Sequence, residues 1–337
     1  YTARAQARSL FNQFREMRGI SQSEDRYVVV SLAGLKHRVG VSPEGHPKFF
    51  VCTNNSPATV QNVIRELLSV EYSVPCQLKD NDGNLHSGYY TIITLRSLDE
   101  ALQGYFMEVF SMMLYKLPAE PSKRELSIDI ENLIAIFSAL VAPPKKKLQG
   151  LWAELLVIEQ SSHPEVLISA WHSSPSSKYD FTSGRDKIEV KSTSSEDRVH
   201  RFALDQLNPS ANSRLLIAST IVRESGPACD GLSVKGLYEK ICTRISAINS
   251  KLRLYMVIAE TIGTDIDKFE NMYFDYTSAV DSLEFYDYHD VPSINKDAVS
   301  NLVTEVKFCS NLEGLIDVRK PESNFDIDSS ELFKSIR

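Results

Sequence analysis

Apolar residues recur at helical spacing from the start of the chain. Leu10, Phe11, Phe14 and Met17 share one face of residues 4–18, which predicts an amphipathic helix. The pattern then shortens. The stretch YVVVSLAGLKHRVGVSPEGHPKFFVCT predicts three short strands, with turns near Gly34 and between Pro43 and Pro47. A helix is expected over 57–67, capped by Ser56. Two longer strands, 68–78 and 85–95, flank the turn signal KDNDGN. SLDEALQGYFMEVFSMMLYKL predicts a helix with Ser97 and Glu100 spaced as a capping box and with Phe106, Phe110, Met113 and Leu114 as core. Another helix, 125–141, stops at Pro143 and Pro144. Beyond it the pattern predicts a helix at 148–160, strands at 165–172, 177–183 and 186–193, and a helix at 202–208. A strand at 214–222, a helix at 232–249, a strand at 253–260 and short strands near 271–276, 283–287 and 303–309 complete the chain. Pro118 and Pro121 place the domain boundary at 118–121. The expected organisation is an N-terminal α+β domain over 1–118, an α/β domain over 119–320 and a poorly ordered polar tail over 321–337.

Composition changes this picture little. With 337 residues, 42% of them apolar, the chain has material for two cores. No run of eighteen apolar residues occurs, so no membrane span is expected, and the apolar run 27–32 is too short for a signal peptide. The chain opens on Tyr1, and a trimmed N-terminus is expected. Cys52, Cys76, Cys229, Cys242 and Cys309 form no C-x-x-C and no Cys/His cluster. That argues against zinc and against a disulfide framework, and it suits a cytoplasmic protein.

Charge changes it more. The chain has a net charge of −7, but the segment from Glu260 onward carries 17 acidic against 7 basic residues, so residues 1–259 are net +3. Local rather than total charge steers a phosphate backbone, and nucleic acid stays among the expected partners. The helix at 4–18 carries four arginines against one glutamate. A solvated basic face is the ordinary reading of it, and contact with phosphates the sharper one.

Candidate chemistry sits in KYDFTSGRDKIEVKS, residues 178–192. The stretch predicts two strands joined by a tight turn at Ser183, Gly184, Arg185 and Asp186. Side chains alternate along a strand, so Lys187, Glu189, Lys191 and Thr193 share a face while Ile188 and Val190 point into a core. The hairpin brings Asp180 alongside Glu189. Two carboxylates held together each keep a proton unless positive charge lies between them. Lys191 supplies one charge, and a divalent ion such as Mg²⁺ or Mn²⁺ supplies more. Such an ion acidifies bound water and polarises a phosphoryl oxygen, and the lysine stabilises the charge that develops.

Asp180 followed by Glu189-Val190-Lys191 resembles the D…E-x-K signature of the PD-(D/E)XK nuclease superfamily. The resemblance implies a restriction-endonuclease-like core, an α-β-β-β-α-β mixed sheet flanked by helices. It implies a glutamate on the preceding helix that completes the metal site. Glu154 in KKKLQGLWAELLVIEQ fits that place, with Glu159 as the rival. Gln206 in RFALDQL matches the glutamine found after the E-x-K strand. Tyr179 departs from the pattern where a proline often stands. The wider pattern GLWAELLVI…W…YDF…IEVKS…QL, residues 148–207, is similar to PD-(D/E)XK-motif proteins of bacterial anti-phage operons, which occur beside ATPase and helicase-like partners. The implied activity is Mg²⁺- or Mn²⁺-dependent hydrolysis of DNA, by a monomer or a homodimer. Glu154, Asp180 and Glu189 would hold metal, Lys191 would act on water and phosphate, and Gln206 would support the site.

Lys145, Lys146 and Lys147 precede the Glu154 helix, and Arg198, His200 and Arg201 follow the E-x-K strand. They read either as solvated charge or as a phosphate-steering patch, with Lys145, Lys146, Lys147, Arg198 and Arg201 as the candidate DNA contacts. His172 and His200 are expected as polar surface. Ser192 and Thr193 are expected to cap the strand end. A non-catalytic nuclease-like scaffold that binds DNA or protein is the alternative from another class. A ribonuclease differs from the first reading only in substrate.

Overall fold

A computed structural model describes residues 2–18, 26–54, 60–144, 147–172, 177–227 and 230–337. They separate into two units, 1–143 and 144–337. The division falls at Pro143 and Pro144, so the helix after Pro121 groups with the first unit, whereas the sequence pattern had put the boundary at 118–121.

The first unit opens with α1 (Thr2–Met17), followed by β1 (Arg26–Ser31), β2 (Arg38–Val41), β3 (Pro47–Val51), β4 (Val63–Ile64), β5 (Leu68–Lys79) and β6 (Leu85–Leu95). The strands run β1-β2-β3-β6-β5-β4, and a parallel pairing of β1 with β5 closes them into a small barrel. Alternation divides β3 between two cores. Phe50 points inward with Val29, Cys76, Leu78, Tyr90 and Ile92. Phe49 points outward and meets Phe106 and Phe110 edge-on, with ring centroids at 5.3 and 4.8 Å. Gly40 lets β2 pass this close, because a Cβ there would lie 3.0 Å from both the Phe50 ring and the Val28 carbonyl.

The outer aromatic layer belongs to α2 (Glu100–Lys116) and α3 (Lys123–Ala139). Asp99, not Ser97, caps α2, and Ser122 with Glu125 forms a capping box on α3. The described part of the expected 57–67 helix is instead irregular chain around the two-residue strand β4, paired with β5; 55–59 lie outside the described residues. Arg15 of α1 and Arg18 just after it pair with Glu100 of α2, at 3.7 and 3.1 Å.

The second unit opens with α4 (Leu148–Gln160) and α5 (Pro164–Ala170). Then come β7 (Phe181–Ser183), β8 (Asp186–Thr193), β9 (Val199–Ala203), a 3-10 turn over Leu204–Leu207 and β10 (Arg214–Ile221). The rest is β11 (Glu224–Ser225), β12 (Gly231–Ser233), α6 (Val234–Arg244), α7 (Ile248–Ile262), α8 (Ile266–Asn271), β13 (Tyr273–Asp275), α9 (Tyr276–Asp281), β14 (Glu284–Asp287), β15 (Lys307–Asn311) and α10 (Glu331–Lys334). The central sheet runs β14-β10-β8-β7, with β8 and β10 parallel and both outer pairings antiparallel. Gly184, at φ 58°, makes the two-residue turn between β7 and β8.

Helix α4 packs on β8 and is buried all round from Leu151 to Glu159, as a helix at the centre of a core must be. Tyr179, Phe202, Leu207, Leu215, Ile217, Tyr286, Val291 and Leu312 form a second cluster in this unit. Ile217 and Leu215 stand beside Glu189 and Lys187 in the parallel register, so this cluster borders the Glu189 side of the sheet.

Four expected elements come out differently, one of them the helix at 232–249, which breaks after Arg244 and resumes at Ile248. The stretch 165–170 lies in α5, begun by Pro164 at its first position, and Trp171 and His172 follow the helix. The stretch 253–260 lies inside α7, with Leu254, Tyr255, Ile258 and Ile262 on its buried side. Short apolar runs do not tell a buried helix from a strand. The expected helix 202–208 is the end of β9 and the 3-10 turn. The tail is packed: Leu332, Phe333 and Ile336 are buried, and the Ser335 carbonyl accepts from Ser161 Oγ at 2.7 Å. Cys52 and Cys309 are free thiols, Cys76 and Cys242 are buried, and Cys229 lies outside the described residues. Among the described residues no helix is long and apolar enough to cross a membrane.

Candidate active site

A helix buried all round that carries two glutamates must satisfy both. The two are satisfied differently. Glu159 accepts from the Tyr276 hydroxyl at 2.9 Å and Gln160 Nε2 at 2.5 Å, and Lys240 Nζ lies 3.6 Å away. It is matched within the fold. Glu154 Oε2 accepts from Trp171 Nε1 at 2.8 Å and meets His172 Nε2 at 2.8 Å. One ligand atom from each of Glu154, His172 and Asp180 lies within 4.8 Å of the other two. Both carboxylates of this group are buried.

Asp180 immediately precedes β7, where the hairpin opens. Its Oδ2 accepts from Val190 N–H at 2.8 Å, so the carboxylate is fastened to β8 between Glu189 and Lys191. On that strand Lys191 Nζ donates to Glu189 Oε1 at 2.8 Å and to Gln206 Oε1 at 3.1 Å. Gln206 Nε2 donates to the same Glu189 oxygen at 2.5 Å, and its own Oε1 accepts from Ala203 N–H at 3.1 Å. Glu189, Lys191 and Gln206 thus form a closed hydrogen-bonded triangle. Lys191 also lies 5.1 Å over the Phe202 ring.

The structure therefore brings the expected residues together in two linked sets. Glu154 and Asp180 share one with His172; Glu189, Lys191 and Gln206 share the other; the Asp180–Val190 bond joins them. Gln206 reaches the site from a 3-10 turn rather than from a helix.

His172 is the residue the sequence pattern missed. It was expected as polar surface and instead faces Glu154, with 23% of its side chain exposed. It follows the last turn of α5 in left-handed backbone, φ 40°. Its N–H donates to the Asp180 carbonyl at 2.8 Å, and its carbonyl accepts Arg253 Nη2 at 2.6 Å. The only signal in the sequence is a Trp-His pair behind an apolar run, and no motif spells out its geometry.

The expected basic patch is largely dispersed. Lys145 and Lys146 lie outside the described residues, and Lys147 is exposed ahead of α4. Arg201 is exposed on β9. Arg198 corrects the expectation of a phosphate contact, because it is almost buried among Ser219, Ser282 and Glu284. His200 is likewise buried, bonded to Ser219 Oγ at 2.8 Å. Burial, then the nearby Lys191 and Arg198 charges, push its pKa down to about 4. Two other cations, Lys178 and Lys187, lie 5.2 and 5.9 Å from the Tyr179 ring centroid. Burial draws the Lys178 ammonium below its ordinary pKa.

The donor chemistry fits a divalent cation. Two buried carboxylates within reach of each other need positive charge, and two oxygen donors with one imidazole supply a ligand set for it. Residues 10–313 match the family model described as "Putative PD-(D/E)XK family member, (DUF4420)". No curated protein and no solved structure matches the chain.

Proposed function

This chain belongs to that PD-(D/E)XK family, DUF4420, and from that premise we propose that it is a divalent-cation-dependent nuclease that hydrolyses DNA phosphodiester bonds. One observation carries the reading. The Asp180 carboxylate belongs to the buried Glu154–His172–Asp180 group and is also bonded to the backbone between Glu189 and Lys191. The cation-binding group is thereby tied to the strand that carries Glu189 and the Lys191 ammonium.

Glu154, Asp180 and Glu189 hold the cation, Mg²⁺ or Mn²⁺, which when bound acidifies water and polarises a phosphoryl oxygen. Lys191 supplies fixed positive charge where the phosphoryl oxygens gain negative charge. Its position is set by Glu189 and Gln206, at 2.8 and 3.1 Å, so it needs little reorganisation when substrate arrives. Gln206 is a positioning residue that orients both members of the pair. The resemblance over 148–207 further supports a setting in anti-phage defence, with ATPase or helicase-like partners.

The test is cleavage of supercoiled plasmid with Mg²⁺ or Mn²⁺ by the wild-type chain, Asp180→Asn and Lys191→Met. Wild-type nicking that both variants lose, with unchanged far-UV circular dichroism, is the expected result. Undiminished cleavage in either variant overturns the assignment. Calorimetric Mn²⁺ binding that Asp180→Asn weakens separates the nuclease from a scaffold with the same fold.

A further inference from the structure

The third member of the buried donor group is a histidine that the D…E-x-K pattern does not call for. Its placement is fixed by backbone bonds from two other parts of the unit. The Asp180 carbonyl takes its N–H at 2.8 Å. Arg253 Nη2, from α7, donates to its carbonyl at 2.6 Å and to that of Trp171 at 2.7 Å. Between these two clamps the residue sits at φ 40°, a conformation disfavoured for any side chain with a Cβ. The effect is to turn the imidazole back toward α4, where Nε2 meets Glu154 Oε2 at 2.8 Å. The His172 side chain keeps 23% of its exposure against 4% for Glu154, so it forms the solvent side of the group.

We infer that His172 is a metal ligand of this site, held in place by Arg253, and that its imidazole makes the site select a first-row transition ion over Mg²⁺. The inference rests on the nuclease reading above. Mg²⁺ prefers oxygen donors in near-ideal octahedral geometry and gives up its waters reluctantly. Imidazole nitrogen favours transition ions. Carboxylates alone accommodate either class of ion, and a nitrogen added to them discriminates. Arg253 is a positioning residue: it holds the Trp171 and His172 carbonyls, which lie on either side of the His172 Cα, and the imidazole follows from them.

The experiment uses the full chain with Mn²⁺ and Mg²⁺ as probes. Binding of each ion is measured by titration calorimetry, and bound Mn²⁺ is examined by pulsed electron paramagnetic resonance for coupling to ¹⁴N. The wild-type chain is expected to bind Mn²⁺ more tightly than Mg²⁺ and to show imidazole nitrogen coupling. His172→Gln puts an oxygen donor in place of the nitrogen. It should abolish the coupling and weaken Mn²⁺ binding about 10-fold or more while changing Mg²⁺ binding less than about 3-fold. Arg253→Met should weaken both the coupling and Mn²⁺ affinity by about 10-fold, and Arg253→Lys should recover part of each. Circular dichroism of every variant checks the fold. His172→Asp guards against misfolding of the glutamine variant and should bring the two ions to similar affinity. Mn²⁺ bound without ¹⁴N coupling, with an unchanged ion preference in His172→Gln and His172→Asp, overturns this inference and leaves the nuclease reading standing. A wild-type chain that binds neither ion at millimolar concentration overturns both.

Discussion

Arg198 was one candidate for a phosphate contact, and its surroundings predict a different phenotype. Nη1 donates to the Ser219 carbonyl and hydroxyl at 3.3 and 3.0 Å, and Nη2 donates to the Ser282 carbonyl at 2.6 Å. The same nitrogen lies 3.0 Å from Glu284 Oε2, and the arginine side chain is only 14% exposed. Arg198→Ala removes all of this. Breaking a buried ion pair from one side costs about 3–5 kcal/mol, because the remaining charge is stranded. Glu284 is not wholly stranded: the Tyr286 hydroxyl still donates to it at 2.6 Å, and Lys320 lies 3.5 Å away. The loss therefore falls at the lower end, about 3 kcal/mol. For a unit spanning 144–337, each kcal/mol moves Tm by roughly 2–4 °C, so a fall of about 6–12 °C is expected. The assay is thermal unfolding by circular dichroism, paired with fluorescence anisotropy of a labelled duplex at several salt concentrations. Arg201→Ala is the matched variant, exposed on β9. It should leave Tm nearly unchanged, since surface substitutions stay within about 0.5 kcal/mol. If Arg198 instead neutralised a DNA phosphate, its removal would lower the salt slope by about 0.9 and leave Tm where it was. That result would refute the structural role argued for it.

Three further outcomes follow from buried groups. Burial holds His37 and His200 at a pKa of about 4, against 6.5 in the unfolded chain. Below pH 6.5 the unfolded state takes up protons that the folded imidazoles refuse. Stability is therefore present above about pH 6.5 and is lost as pH falls toward about 4, by up to about 3 kcal/mol for each histidine. Urea unfolding across that window checks it, and a flat profile would contradict the assignment. Glu154→Gln should weaken Mn²⁺ binding by about 10-fold or more while Glu159→Gln changes it little, because Glu159 is already matched by Tyr276 and Lys240; equal losses in calorimetry would sink the distinction. Phe333→Ala should cost about 3–5 kcal/mol in chemical denaturation, since this fully buried ring packs against Phe325 and under Arg214; a loss below about 1 kcal/mol would mean that the tail is dispensable.

Local pattern carried part of the site. The period-two alternation of Lys187, Glu189 and Lys191, the glycine turn at 184 and the helical spacing around Glu154 are properties of neighbouring residues, and each is found where the sequence put it. Arg198 marks the limit of that method. A sequence displays an arginine after a strand, but not that Ser219, Ser282 and Glu284 converge on it from 21 to 86 residues away. The tail fails for a related reason. Its polar average conceals Leu332, Phe333 and Ile336, three apolar residues spaced for one buried side.

The missed histidine and the misread elements are one error, not two. Had 165–172 been a strand, Trp171 and His172 would continue it and point to opposite faces. As α5, the segment ends at Ala170 and the chain turns at once, which brings Trp171 Nε1 and His172 Nε2 to the same Glu154 oxygen. Had 253–260 been a strand, Arg253 would open it as one alternating position among several. As part of α7, which packs against α5, it delivers a guanidinium to the turn and holds both carbonyls. The two short apolar runs that the pattern assigned to strands are thus the two helices that build the His172 side of the site. The D…E-x-K half is legible because its geometry is set by the pleat of one hairpin. The Glu154–His172 half depends on packing between three helices, and it became visible only once their faces were known.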